Sequence, residues 1–355
     1  LKKKAGQSSQ SPYEASLSKE ERQIVHDIKQ EIKQKNLNNV VRTNAYIAFY
    51  NKYPEIEWAF LAHMVSRNAG WNMTDLKGSY LSKLLTEQNQ EDFFLFLERG
   101  NWLIFQDAYP QLRLYEESRK KKQNLFHLLP LFGVSSFMEV MWNHFYDNRN
   151  HYLISTALII NEQTYIEKRM VQHTQYQLEV LKSLEFQLQD LLGLNQILFP
   201  VPKEEKVKVV GQSVHHFASL HDRILLGKRL YQLLFDKDYY DHIYQWAVRQ
   251  PHTGSRQDFW PDIFHSVNEA APHTVPEVEK CQLKENSPRI YSPFLEDVWD
   301  NTQQKPAEQG DWYTNSKVVR YLKKNELKLN ADMQKEYCNT LEKLHFAVVA
   351  KGVFS

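Results

Sequence analysis

The stretch 42-RTNAYIAFYNKYPEIEWAFLAHMVSRNAGWNMTDLKG-78 decides the fold. Ile56, Ala59, Phe60 and Met64 recur at i, i+3, i+4 and i+8, the spacing of one buried helical stripe. Pro54 stands just before that stripe, where a missing N–H costs nothing. Glu55 and Glu57 fall in the first turn and suit the positive end of the helix dipole. The Asn68-Ala69-Gly70 triplet reads as a stop, because Asn and Gly tolerate the left-handed conformation beyond a last turn. His63 and Arg67 are one turn apart and share a face. Turned inward, that face needs an anionic partner; turned outward, it is a half-exposed surface with no special role.

The rest of the chain supports a helical reading. Its 355 residues suffice for one large domain or two small ones, and 42% hydrophobic with 13% aromatic content can fill a substantial core. A formal net charge of +1 generates no global field that draws in nucleic acid or an acidic membrane surface, and the basic runs are short and separated. Eleven glycines are few for a phosphate-loop or doubly wound nucleotide fold. Cys281 and Cys338 are able to pair, but two cysteines make no disulfide framework and exclude a Cys-rich zinc site. No window is long and apolar enough for a membrane span. The sequence begins at Leu1 rather than Met, which leaves room for an upstream targeting or anchoring segment. The chain itself reads as cytoplasmic.

Outward from the central stretch, residues 1–17 are polar and read as a disordered tail. Ser18 and Glu21 form a capping box before the stripe Ile24, Val25, Ile28, Ile32. A second helix spans Asn39 to Asn51, with Val40, Val41, Ile47 and Tyr50 as inward candidates. Thr74 and Asp75 can cap a further helix carrying Leu76, Tyr80, Leu84 and Leu85. Glu91 to Ala108 is apolar nearly all round, the mark of a buried helix, and Pro110 breaks or restarts it. Asn124 to Asp147 holds helices with Phe137, Val140, Met141 and Phe145 inward. His151 to Leu192 is one long helix or two joined near His173, with a leucine seam from Leu178 to Leu191. Helices resume at Gly211 to Phe235 and Tyr239 to Arg249. Five of the 13 prolines fall between Pro272 and Trp312, which reads as an ordered Pro-rich arm. Asn315 to Lys324 and Ala331 to Val349 supply terminal helices. Strand signals are weak; Lys206 to Val210 alternates Lys and Val but is short. The fold expected is all-α: a tail (1–17), a helical core (18–271), a Pro-rich arm (272–314) and C-terminal helices (315–355).

A second distinctive stretch is 251-PHTGSRQDFWPDIF-264. Its Thr-Gly-Ser turn exposes backbone N–H groups, and with Arg256 it could hold an anion. His252 is a candidate acid or base near neutral pH. The structural alternative is that Ser255 caps the following helix while Arg256 pairs with Asp258 or Asp262. Metal spacings are not met: a di-iron bundle wants Glu-x-x-His on two helices, whereas Glu139 to His144 is i+5 and Glu57 to His63 and Glu167 to His173 are i+6, and His-x-x-x-His and His-Glu-x-x-His do not occur, so neither a metal nor another cofactor is expected. There is no nucleophile elbow and no Walker loop. Glu98, Glu162 and Glu167 can face one interior as paired carboxylates, or be neutralised by Arg67, Arg169 and Arg256 as structural ion pairs.

The strings AFLAHMVSRNAGWNMTDLKG (59–78), ERGNWLIFQDAYPQL (98–112), ALIINEQTYIEKR (157–169), LGKRLYQLLF (226–235) and HTGSRQDFWP (252–261) resemble the YppC-like family of uncharacterised bacterial proteins. The resemblance runs from about Asn39 to Phe264. It implies a bacterial origin and brings no activity and no catalytic residues.

The leading expectation is a polar pocket for a small polar or anionic ligand. Its ligand-binding candidates are His63, Arg67, Asn68, Asn101, Arg169, Ser255, Arg256, Asp258 and Trp260. His252, Glu98, Glu162 and Glu167 are the candidates for acid–base chemistry. The rival is an interaction scaffold in which these groups staple helices together and the arm or the leucine seam meets a protein partner. A pocket requires the four segments to converge on a concave site; a scaffold requires them to be paired off.

Overall fold

The computed structural model describes residues 17–172, 195–203, 206–213, 217–271, 274–308, 310–313, 316–324 and 331–353. The proposed tail (apart from Leu17), the His173 junction and the leucine seam lie outside them. Helix α1 (Lys19–Lys35) starts at the expected capping box: Glu21 N donates to Ser18 Oγ and Ser18 N to Glu21 Oε2. It buries Ile24, Val25, Ile28 and Ile32. Leu17, assigned to the tail, is instead packed into the core.

Helix α2 (Asn39–Tyr50), capped by Asn38, corrects the expected inward face. Val40, Val41 and Ile47 are only partly buried, while Asn39, Arg42 and Thr43 point into the protein beside Tyr46 and Tyr50. Helix α3 (Glu57–Asp75) runs through the expected stop at Asn68–Gly70. Gly70 is there for closeness: a Cβ on it would stand 2.4 Å from Asn39 Oδ1 and 2.6 Å from His252 Nε2. Trp58, Phe60, Met64 and Trp71 on this helix are fully buried, each contributing about 1.5–3 kcal/mol of transfer free energy. The helix expected after Thr74 shrinks to α4 (Leu81–Leu84).

Helix α5 (Glu87–Lys121) is 35 residues long and passes through Pro110, against the expected break. Proline removes one main-chain donor. The turn is tied instead by Gln111 Nε2, which donates to the carbonyl and carboxylate of Asp107 (3.0 and 2.9 Å). Helices α6 (Ser136–Asn148) and α7 (His151–Ile166) follow, and α7 continues into a π turn at Glu167–Val171. Val140, expected inward, is 66% exposed.

The all-α expectation needs correction, because the described residues include three two-stranded sheets in a mostly helical protein. Strands β1 (Gln196–Lys203) and β2 (Lys206–Ser213) form an antiparallel hairpin with Phe199 opposite Val210. The short Lys/Val alternation was its signal. It also ends the helix expected from Gly211: helix α8 begins only at Leu220 (Leu220–Leu234), followed by α9 (Tyr240–Arg249). Two-residue strands β3 (Phe264–His265) and β6 (Ile290–Tyr291) pair in parallel; β4 (Val278–Glu279) and β5 (Gln282–Leu283) make a small hairpin. Helix α10 (Leu295–Val298) and a 3₁₀ stretch at Ser316–Leu322 lead to α11 (Gln334–Val353). Trp299 stacks on Phe94 with ring centroids 4.0 Å apart, and Trp312 Nε1 donates to Asn161 Oδ1. Cys281, after the β4 turn, is disulfide-bonded to Cys338 on α11.

Candidate functional site

His63 and Arg67 do share a face, and it is inward: both are essentially inaccessible. Arg67 Nε donates to His63 Nε2 (3.0 Å), and His63 Nδ1 faces the carbonyl of Thr43 (2.8 Å). Among the described residues no carboxylate bonds Arg67. Its Nη2 donates to the carbonyls of Ala247 (3.3 Å) and Gln250 at the end of α9, and its guanidinium lies 4.5 Å from the Trp246 ring. A cation at a helix C-terminus complements the orphan carbonyls and the dipole there. Burial pushes Arg67 down to about 10, against the pull of Asp258. Burial, then Arg67, holds His63 well below the ordinary histidine value. Asn68 acts as a peptide mimic: its amide donates to Leu198 O and accepts from Leu198 N (2.9 and 2.7 Å), joining α3 to β1.

The 252–258 turn packs against this cluster. His252 Nε2 meets Asn39 Oδ1 (2.8 Å), and Asn39 Nδ2 donates to Ser66 O (2.9 Å). His252 Nδ1 lies 3.5 Å from Asp258 Oδ2, and burial, partly offset by Asp258, lowers the His252 pKa. Asp258 also accepts from Thr253 N and Oγ1. Gly254 takes φ +83°, and its carbonyl accepts from Thr74 Oγ1 (2.6 Å). Ser255 caps the 3₁₀ turn through Gln257 N and donates to Ser292 O. Trp260 is buried among aromatic rings, 6.1 Å from that of Tyr337.

Arg256 pairs with neither Asp258 nor Asp262. It forms a fork with Asp75, Nε lying 3.0 and 2.8 Å from the two carboxylate oxygens, and Nη2 donates to Asn72 (3.1 Å). Burial opposes its charge, but Asp75 and the Tyr337 phenol outweigh burial and raise its pKa above the ordinary value. Arg256 Nη1 and Tyr337 Oη, both buried, have no oriented hydrogen-bond partner. Both border a recess of about 30 Å³ walled by Asp75, Ser79, Tyr291 and Thr340, room for one or two water-sized groups.

The other two candidate segments lie in a separate interior. Glu98 pairs with Arg42 at 2.5 Å, both nearly inaccessible, and burial raises the Glu98 pKa against the pull of Arg42. Asn101 donates only to Leu97 O of its own helix. Glu162 is half-buried and accepts from Trp58 Nε1 (3.1 Å); burial pushes its carboxyl up to about 7. Glu167 pairs with Arg223. Arg169 donates to the carbonyls of Glu308 and Gly310 and lies over the Tyr165 ring at 3.7 Å. Asp107, which sequence reasoning did not select, is likewise pushed up to about 7 by burial. It accepts from Asn161 Nδ2 (2.5 Å) and Gln111 Nε2. These candidates are paired off with separate partners, and the four segments do not converge on one concave site. Arg42, Asp75 and Tyr337 were also missed. Arg42 had a signal in its i, i+3 relation to Asn39; the other two had none, since their partner Arg256 lies far away in sequence, with Tyr337 itself in the C-terminal helix.

Among the described residues no group of three or more His, Cys, Asp or Glu could hold a metal ion, and no helix is long and apolar enough to cross a membrane. The class these features define is a mostly helical protein with a heavily polar, internally bonded core and one small recess over a buried arginine. The chain belongs to the family described as "Protein of unknown function (DUF2515)", whose model matches residues 34–343. It is 42% identical over 264 residues to the "Uncharacterized protein YppC" of Bacillus subtilis (strain 168), covering 70% of this chain and 82% of that one. No solved structure matches it.

Proposed function

We propose that the protein binds a small polar ligand whose oxygen-bearing head group, a carboxylate, phosphate or carbonyl, enters the recess over Arg256. One observation carries this reading: Arg256 and Tyr337 interact with one another at the same recess, and among the described residues neither Arg256 Nη1 nor Tyr337 Oη, both buried, makes a well-oriented hydrogen bond. The phenol oxygen faces the guanidinium, which leaves the phenol proton for an acceptor oxygen, and an unmade hydrogen bond at a buried donor is costly enough to favour one. Asp75 already balances the guanidinium charge, so recognition rests on hydrogen bonding more than on net charge. The size of the recess admits the head group alone, with the remainder of the ligand outside. No acid–base role is assigned to His252, which is buried with Asn39 on one side and Asp258 on the other.

A thermal-shift panel of carboxylates, phosphates and neutral polar metabolites tests the proposal, since a ligand selective for the folded state raises its melting temperature. The expected result is a hit whose shift disappears in Tyr337→Phe, a variant that keeps the ring and removes only the hydroxyl. No hit, or a hit unchanged in that variant, overturns it.

The second reading is a non-enzymatic scaffold, favoured by the pairing of Arg42 with Glu98, Arg223 with Glu167 and Arg256 with Asp75. In that reading the 274–313 segment is the surface for a protein partner, and its test is loss of a co-purifying partner on substituting the exposed side chains of that segment.

A further inference from the structure

A cleft of about 450 Å³ lies between α1, α2 and α5, away from the Arg256 recess, within the range of small-molecule sites. It follows one face of α2 from Val41 to Phe49, which at 1.5 Å per residue is about 12 Å, and ends at Lys52 just past the helix. Val41, Ala45, Ala48 and Phe49 make an apolar floor. On the walls Arg113 bonds Glu31 (2.7 Å) and Glu116, and Tyr109 donates to Glu31 (2.7 Å), which leaves the two carboxylates one negative charge ahead of the single guanidinium. Lys35 and Lys52 also line the cleft and are exposed. Lys52 Nζ is 4.0 Å from Glu116, a carboxylate already engaged by Arg113 and by Lys120 (3.1 Å). The cleft therefore combines a greasy floor with walls on which Arg113, Lys35 and Lys52 face Glu31 and Glu116, a surplus of one positive charge.

We propose that this cleft is a second binding site, taking an amphiphilic anion whose hydrocarbon body lies on Val41–Phe49 and whose acid group meets Lys52 or Lys35. Burying an alkyl chain on the floor supplies the non-directional part of binding, and the lysines select for a negative head. The site is independent of the Arg256 reading.

Isothermal titration calorimetry with free decanoate, decanol and phosphate on the whole chain tests this. Decanoate should bind, decanol more weakly and phosphate not at all. Ala48→Phe, at an exposed position, should fill the floor and abolish decanoate binding. The double variant Lys35→Gln/Lys52→Gln should weaken decanoate at least tenfold and leave decanol unchanged. Tyr337→Phe should change none of these. Decanoate binding that survives Ala48→Phe, equal loss of decanoate and decanol in the lysine variant, or adsorption to phosphatidylglycerol vesicles with no binding of free decanoate would each overturn the proposal.

Discussion

His63 and His252 lie in one buried network and are held in opposite tautomers. Arg67 Nε donates to His63 Nε2, so that nitrogen is an acceptor and the proton sits on Nδ1, toward Thr43 O. Asn39 spends its amide hydrogens on Ser66, so its oxygen faces His252 and the proton there sits on Nε2. Long-range ¹⁵N–¹H spectra should show one neutral ring of each kind at pH 7. Because both pKa values are depressed, both rings should stay neutral below the ordinary value of 6.5. Stability from this pair is present above that value and is lost as pH falls below it, when unfolding would take up protons. Two rings titrating together near pH 6.5 would contradict the network.

Asp107 has the opposite sign. Its folded pKa, about 7, lies above the ordinary 3.8. Its contribution is full below about pH 4 and declines as pH rises through 7, because the buried carboxylate must be charged in the folded state. Three pKa units correspond to about 4 kcal/mol. Urea titrations of Asp107→Asn between pH 5 and 8 should therefore show a flatter profile than the parent. The parent combines this fall with the rise expected from the histidines, so the difference between the two curves is the measurement. Identical slopes would mean that Asp107 is charged throughout.

Arg42 and Glu98 test whether the interior ion pairs are staples. Removing one partner strands a buried charge, which costs about 3–5 kcal/mol. Glu98→Gln and Arg42→Met should each lose that much, as read from denaturant midpoints. Arg42→Met/Glu98→Leu should recover most of the loss, because an apolar pair of similar volume needs no compensation. A double variant as unstable as the sum of the singles would mean that each residue acts through other contacts, such as Arg42 Nη1 to Asn36 (3.2 Å).

Local chemistry was legible and tertiary chemistry was not. The Ser18–Glu21 box and the stripe of α1 could be read because every group involved lies within a few turns. The inward face of Asn39, Arg42 and Thr43 could not, because burying polar groups is tolerable only with partners that other segments bring. Gly70 was read as a stop by its conformational freedom, but its role is set by Asn39 and His252, remote in sequence. Likewise Pro110 looked like a breaker because the Asp107–Gln111–Asn161 bonds around it involve a separate helix. Polar content suggested that 63–68, 98–101, 162–169 and 252–258 would meet around one cavity, but which segments approach and which residue meets which were not legible: Arg256 chose Asp75 over both nearer aspartates.

The Cys281–Cys338 bond closes a span of 57 residues and fastens the β4–β5 hairpin to α11, one residue from Tyr337. Hairpin and helix also meet through Lys280 N to Glu342 (3.0 Å) and through His345 to Pro276 O (2.9 Å). These contacts and the buried Leu341, Leu344 and Val348 should keep α11 docked without the bond. Cys281→Ser/Cys338→Ser should therefore lose about 2–4 kcal/mol, mostly by freeing the unfolded chain, while its circular dichroism stays that of a folded protein. The same pair discriminates the compartment. The cytoplasmic placement expected from the sequence calls for two titratable thiols in protein taken from its native cells under alkylating conditions. An oxidising compartment, where such bonds persist, calls for none. Finding no free thiol would move the protein outside the cytoplasm.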